Sequence, residues 1–150
     1  MTILVVGASG ATGRLLVEEL LQRGEHVKAI VLSVDSLPEA VRNHENLTVI
    51  RASILDLSDS EMARHVNACH AVASCLGHNL TLKGIFGRPH RLVADASRRL
   101  SMAVKANKPD AAVKFVFMNT TGNSNRDIHE PISFAQKIVI GLLRLLVSPH

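Results

Sequence analysis

The stretch Thr2–Arg14, "TILVVGASGATGR", decides how the rest of the chain is read. Thr2–Val6 is a continuous apolar run, the mark of a strand buried on both faces of a parallel sheet. Three glycines follow at a regular spacing, Gly7, Gly10 and Gly13. A helical pattern begins inside them and spans Ala11–Arg23. Leu15, Leu16, Leu20 and Leu21 are expected on its buried face, and Gly24 as its C-terminal stop.

Working outward, strands are expected at Val27–Leu32, Leu47–Arg51, Ala71–Leu76 and Ala112–Met118. Pro38 opens a short helix at its first turn, where a missing N–H costs nothing. "SDSE", Ser58–Glu61, reads as a capping box that starts a helix running to about Asn67. A long helix is expected over about Pro89–Asn107. Pro131 starts a last one carrying Ile138, Val139, Ile140, Leu142, Leu143, Leu145 and Leu146. This alternation predicts an α/β protein: a Rossmann-like doubly wound parallel sheet of five strands in order 3-2-1-4-5, with helices on both faces. It is expected to form a single domain over residues 1–150. The sixth strand this fold normally adds has no counterpart before "LLVSPH", so the chain reads as either a minimal five-stranded version or a truncated one.

Composition narrows the function. With 47% hydrophobic and 20% charged residues the chain is globular, not disordered. Its apolar stretches fall short of the roughly 20 residues a membrane span needs. No basic segment or cleavage site precedes the first strand, so a cytoplasmic location and no membrane partner are expected. Cys69 and Cys75, placed on one extended strand, stand about 20 Å apart at 3.3 Å per residue. That is too far for a disulfide, and free thiols fit a reducing compartment. The net charge of +4, with "GRPHR" at Gly87–Arg91 and the pair Arg98–Arg99, suits an anionic ligand. Nucleic acid is not expected as the partner: four Phe and no Trp or Tyr cannot build a base-stacking surface.

The glycines supply the anion's identity. "GASGATG" is GxxGxxG, a variant of the GxGxxG dinucleotide fingerprint. Gly7 allows the turn off the strand, Gly10 lets the backbone approach a pyrophosphate, and Gly13 lets the helix pack close. The helix N-terminus at Ala11 offers free N–H groups and partial positive charge to phosphates. Ser9, Thr12 and Arg14 add hydroxyl and cationic donors. Strand before, helix after and a βαβ unit around the turn are the context that separates this reading from a bare tight turn.

With those residues in view, the chain resembles the atypical short-chain dehydrogenase/reductases. The resemblance lies in "VVGASGATGR", "GEHVKAIV" at strand two, "CLG" closing strand four and "FVFMNTTG" at strand five. Within that group it is similar to the NmrA-like and biliverdin-reductase-B-like NAD(P)H-binding proteins. The resemblance implies a nicotinamide dinucleotide and often a reductase activity. It also places Ser53 and Ile54, in "RASILD", at the turn that touches adenine. Cys75, Leu76 and Gly77 should wall the adenosine ribose at the switch-point crevice. Cys75 is read as a small buried hydrophobe and not as a redox group.

An acidic residue ending strand two marks NAD specificity, and a nearby Arg accommodates the NADP phosphate. Here Leu32 and Ser33 stand at that end, with Asp35 further on. The NADP-binding members of the family commonly have Arg at the Leu32 position. Ser33 and Arg14 remain as contacts to a 2′-phosphate, and NADP(H) is favoured over NAD(H).

Short-chain dehydrogenases pair a Ser with a YxxxK motif. Thr120 or Thr121 stands for the Ser, Lys137 for the Lys, and Ser133 holds the Tyr position. A Ser hydroxyl is far less acidic than a phenol of pKa about 10, so the phenol mechanism is excluded. Biliverdin-reductase-like members work without that Tyr. His78, at the mouth of the crevice, and His129 are alternative proton donors, although for each a solvated loop His is the favoured reading. Cys69, His70, Cys75 and His78 are too spread along one strand to converge on a metal, and none is expected. The apolar last helix either covers a sheet face or drives homodimerisation. The expected function is reduction of a small carbonyl, quinone or flavin-like substrate by hydride transfer, with Thr120, Lys137 and His78 as catalytic candidates. The alternative is a non-catalytic NAD(P) sensor or an inactive truncated domain.

Overall fold

The computed structural model describes residues 1–77 and 92–118. Strand β1 (Thr2–Val6) lies between β2 (His26–Val31) and β4 (Ala71–Ser74). Beyond them stand β3 (Leu47–Arg51) and β5 (Lys114–Phe117), so the sheet order is β3-β2-β1-β4-β5. All four pairings are parallel, with Val6 in register with Ile30 on one side and Ser74 on the other. This is the fold and strand order expected from the sequence.

Side-chain alternation along β1 splits the core in two. Leu4 and Val6 pack with Val72 against Met62 and Val66 of α3 (Asp59–Val66) and Ala96, Leu100 and Ala103 of α4 (Leu92–Ala106). Ile3 and Val5 pack on the other face with Val17 and Leu21 of α1 (Ala11–Gln22) and Val41 of α2 (Glu39–Arg42). Helices therefore cover both faces.

Local signals act as their chemistry dictates. Gly24, at φ +74, ends α1: its N–H bonds the Leu21 carbonyl and that of Glu25 bonds Leu20. This pairing is the Schellman closure. The Ser58–Glu61 capping box is complete in both directions. Pro38 is the cap of α2 and not its first residue. The stripe α1 buries is Gly13, Val17 and Leu21, four residues apart, while Leu15 is 67% exposed. Leu15 thus departs from expectation, two residues and about 200° around the helix from Val17. Strand β2 ends one residue early, leaving Leu32 outside it, and Cys69 precedes β4. Among the described residues, no helix is long and apolar enough to cross a membrane. The helix expected after Pro131 lies outside the described residues.

Candidate functional site

The strand order reverses direction between β1 and β4, and ligands of open α/β sheets bind at such a switch point, beyond the strand C-termini. Gly7 leaves β1 there with φ +75. A Cβ on Gly7 would lie 2.7 Å from the carbonyl carbon of Cys75 and 2.8 Å from the nitrogen of Leu76. The backbones leaving the two strands therefore meet only because Gly7 has no side chain. Gly13 is as constrained, since its Cβ would fall 2.1 Å from the Gly7 carbonyl oxygen.

Gly10 differs. Its φ of −72 suits any residue, and among the described residues a Cβ there would meet only the Gly7 oxygen, at 3.3 Å. The chain itself asks little of Gly10; an open approach to its backbone is what the glycine provides. Gly10 caps α1, its N–H donating to Gly7 O at 3.1 Å and its carbonyl accepting from Arg14 N–H at 2.9 Å. Among the described residues no side chain caps α1, and no acidic residue stands in its first turn. Its dipole and leading N–H groups thus remain available to an anion. Ser9, Gly10, Ala11, Thr12 and Arg14 are exposed around this end. The cradle fits a pyrophosphate.

At the end of β2, Leu32 is 74% exposed and Ser33 is exposed beside it. Asp35, the first carboxylate after the strand, is paired with Arg42 of α2 at 2.8 Å. Arg42 is half-buried and its partner exposed. Sequence reading missed this pair, because seven residues separate its members and only the intervening turn brings them together.

After β3 the chain turns at Ser53, whose carbonyl accepts the N–H groups of Asp56 and Leu57 at 3.0 and 3.3 Å. Ser53 is half-buried, whereas the Ile54 side chain is 6% exposed and packed in the core. Arg99 of α4 donates Nη1 to the carbonyls of Ile54 and Leu55, at 2.8 and 2.6 Å, and Nη2 to that of Leu57. The basic residue read as a general attraction for anions is thus already engaged with backbone.

Cys75, Leu76 and Gly77 follow β4, Cys75 and Leu76 half-buried and Gly77 exposed. Cys75 N–H donates to Val6 O at 2.9 Å. Burial pushes the thiols of both Cys75 and Cys69 up, so each stays protonated near neutral pH. Both cysteines are free. Below Cys75, Ser74 is 2% exposed, and its Oγ has no hydrogen-bond partner among the described residues. Among those residues no three His, Cys, Asp or Glu side chains converge on a metal position. His78, Thr120 and Lys137, together with His129 and Ser133, lie outside the described residues.

Residues 7–140 match the family described as NAD(P)H-binding, and the chain belongs to it. An uncharacterised chloroplastic protein of Arabidopsis thaliana is 37% identical over 57 residues, 38% of this chain and 20% of that protein. The oxidoreductase ylbE from Lactococcus lactis superposes with a TM-score of 0.64 at 17% identity, covering 98% of this chain and 61% of that one. NmrA, a negative transcriptional regulator in complex with NADP, gives 0.57 at 19% identity, over 97% of this chain and 42% of its own. A structure of NmrA with NAD gives 0.55 at 19%, over 77% of this chain and 32% of that one. At these identities the structural likeness is one of fold. The chain spans 61% or less of the length of each of these relatives.

Proposed function

We propose that this chain is a cytoplasmic NAD(P)H-dependent reductase domain, one unit over residues 1–150, that favours NADP(H) and reduces a small carbonyl, quinone or flavin-like substrate. The observation that carries the binding part is Gly10: a glycine on which the described residues make little steric demand, at a helix N-terminus that no described side chain caps. When bound, the cofactor supplies a hydride. Gly7, Gly10 and Gly13 shape the phosphate cradle, with Ser9, Ala11, Thr12 and Arg14 as donors around it. Ser53 and Ile54 edge the adenine side, and Cys75, Leu76 and Gly77 wall the ribose. In the same proposal Thr120 positions the substrate, Lys137 stands near the ribose, and His78 or water gives the proton.

Three features support NADP(H) over NAD(H). Neither Leu32 nor Ser33 is a carboxylate that would repel a 2′-phosphate. Asp35 is occupied by Arg42, and that pair keeps a guanidinium near the end of β2. Arg14 adds an exposed cation beside the cradle.

A second reading, a non-catalytic NAD(P) sensor, is favoured by Ser133 in the Tyr position of a chain that has no Tyr. NmrA, a negative transcriptional regulator of similar fold, is solved in complex with NAD and with NADP. Titration with NADPH and NADH, read by nicotinamide emission, tests binding; the absence of Trp and Tyr keeps protein emission low. Turnover of the bound form with quinones, flavins and aldehydes then separates reductase from sensor. Failure to bind either dinucleotide overturns both readings.

A further inference from the structure

We propose that Arg99 is the positioning residue of the adenosine subsite: reaching from α4, its guanidinium holds the Ser53–Leu57 turn in the shape that receives the adenine end of the dinucleotide. The inference rests on the nucleotide-binding reading above.

The turn leaves β3 at the same end of the sheet as the glycine cradle and the end of β2. Its own backbone supplies two hydrogen bonds, both to the Ser53 carbonyl. The carbonyls of Ile54, Leu55 and Leu57 converge instead on the Arg99 guanidinium. Three carbonyl dipoles aimed at one point repel one another unless a cation stands there. Among the described residues, the only carboxylate touching Arg99 is Asp59, at 3.4 Å, and it is 89% exposed. Backbone carbonyls are therefore the main partners of a cation whose side chain is only 20% exposed.

Packing alone does not set this geometry. Ile54 and Leu57 lie in the core with Leu100, the neighbour of Arg99, which brings α4 beside the turn. Apolar contact is non-directional, so it fixes where the turn sits and not which way its carbonyls face. A planar guanidinium with five N–H donors in a rigid fork does fix direction, and a lysine ammonium does so less well. With the carbonyls turned to α4, the conformation of Ser53 is determined before any nucleotide arrives. Affinity for adenosine then depends on a residue that need not touch it, through the ordering cost the loop no longer bears on binding.

The full chain is titrated with NADPH and with adenosine 2′-monophosphate, a probe lacking the pyrophosphate and nicotinamide. Arg99→Met is expected to weaken both by the same factor, about tenfold. Arg99→Lys should fall between Arg99→Met and wild type, and Asp59→Asn should stay within about twofold of wild type. Amide exchange in residues 53–57 should accelerate in Arg99→Met while β1 and β4 keep their protection. If Arg99→Met does not fold, Arg99→Lys carries the same comparison. The inference is overturned if the variant melts earlier yet binds NADPH as tightly, or if NADPH weakens while adenosine 2′-monophosphate does not. A wild type that binds neither probe overturns the nucleotide reading itself, a separate result.

Discussion

Gly13 sits on Gly7 so closely that a single methyl group on Gly13 would fall 2.1 Å from the Gly7 carbonyl oxygen. This contact sets the rotation of α1 about its axis, and hence which residues face the sheet. Gly13→Ala and Gly7→Ala are expected to destabilise the fold by about 2–4 kcal/mol, Gly7→Ala also through its left-handed φ. Gly10→Ala should cost less than about 1 kcal/mol and yet weaken NADPH about tenfold or more, by closing the approach to the backbone. Thermal melts beside NADPH titrations check this. A Gly10→Ala protein that binds normally would make the turn purely structural.

Arg42→Gln releases Asp35 at the end of β2 and removes the nearby cation. NADPH affinity should fall about fivefold to tenfold while NADH affinity holds or rises. In wild type, added salt should weaken NADPH more than NADH, because the extra phosphate is the more strongly screened. Parallel titrations at two ionic strengths decide it.

Ala68, at φ +59, and Lys108, at φ +43, follow the ends of α3 and α4 in the left-handed conformation that glycine adopts freely. Ala68→Gly and Lys108→Gly should each stabilise the protein by about 0.5–1 kcal/mol, the relieved backbone strain outweighing the added freedom of the unfolded chain. Chemical denaturation midpoints, with unchanged slopes, would show it.

Two groups make the protein weaken as pH falls. Burial, then the charges of Arg64 and Lys28, hold His65 below its ordinary 6.5, so the unfolded chain takes up that proton first. Stability from this source is present above pH 6.5 and is lost progressively below it. Hydrogen bonds from Ser58 hold Glu61 below its ordinary 4.5, so a second loss begins as pH drops past that value. His65→Gln should flatten the first step and Glu61→Gln the second in a Tm–pH profile. Ser58→Ala should cost about 1 kcal/mol at neutral pH through loss of the cap.

Ser74 has its hydroxyl buried in the sheet without a partner among the described residues. Ser74→Ala should therefore raise stability by about 1 kcal/mol. A drop in Tm would mean that the hydroxyl is satisfied after all.

The sheet was legible because its signals are local and redundant. The apolar run Thr2–Val6, the glycines behind it and the Ser58–Glu61 box each specify one element. The alternation of elements leaves few topologies. The face of α1 was not: Leu15, Leu16, Leu20 and Leu21 are alike as residues, and the Gly13–Gly7 contact, invisible to hydropathy, turns Leu15 outward and Val17 inward. Within the site, the glycine cradle was readable as a motif. Arg42 and Arg99 were not, since a basic side chain looks the same in sequence whether it meets a phosphate, a carboxylate or a row of carbonyls.

Ile54 and Arg99 stand 45 residues apart in the chain. During synthesis, the glycine cradle and the turn after β3 emerge well before the residue that fixes that turn. Until α4 docks, the converging carbonyls have only water as partner. If the turn is the adenosine side, as proposed, the two ends of the nucleotide site mature at different times: the phosphate cradle forms with the first βαβ unit, while the adenosine side waits for a long-range closure. A nascent chain halted before Arg99 would carry the fingerprint of a dinucleotide protein and only half of its grip.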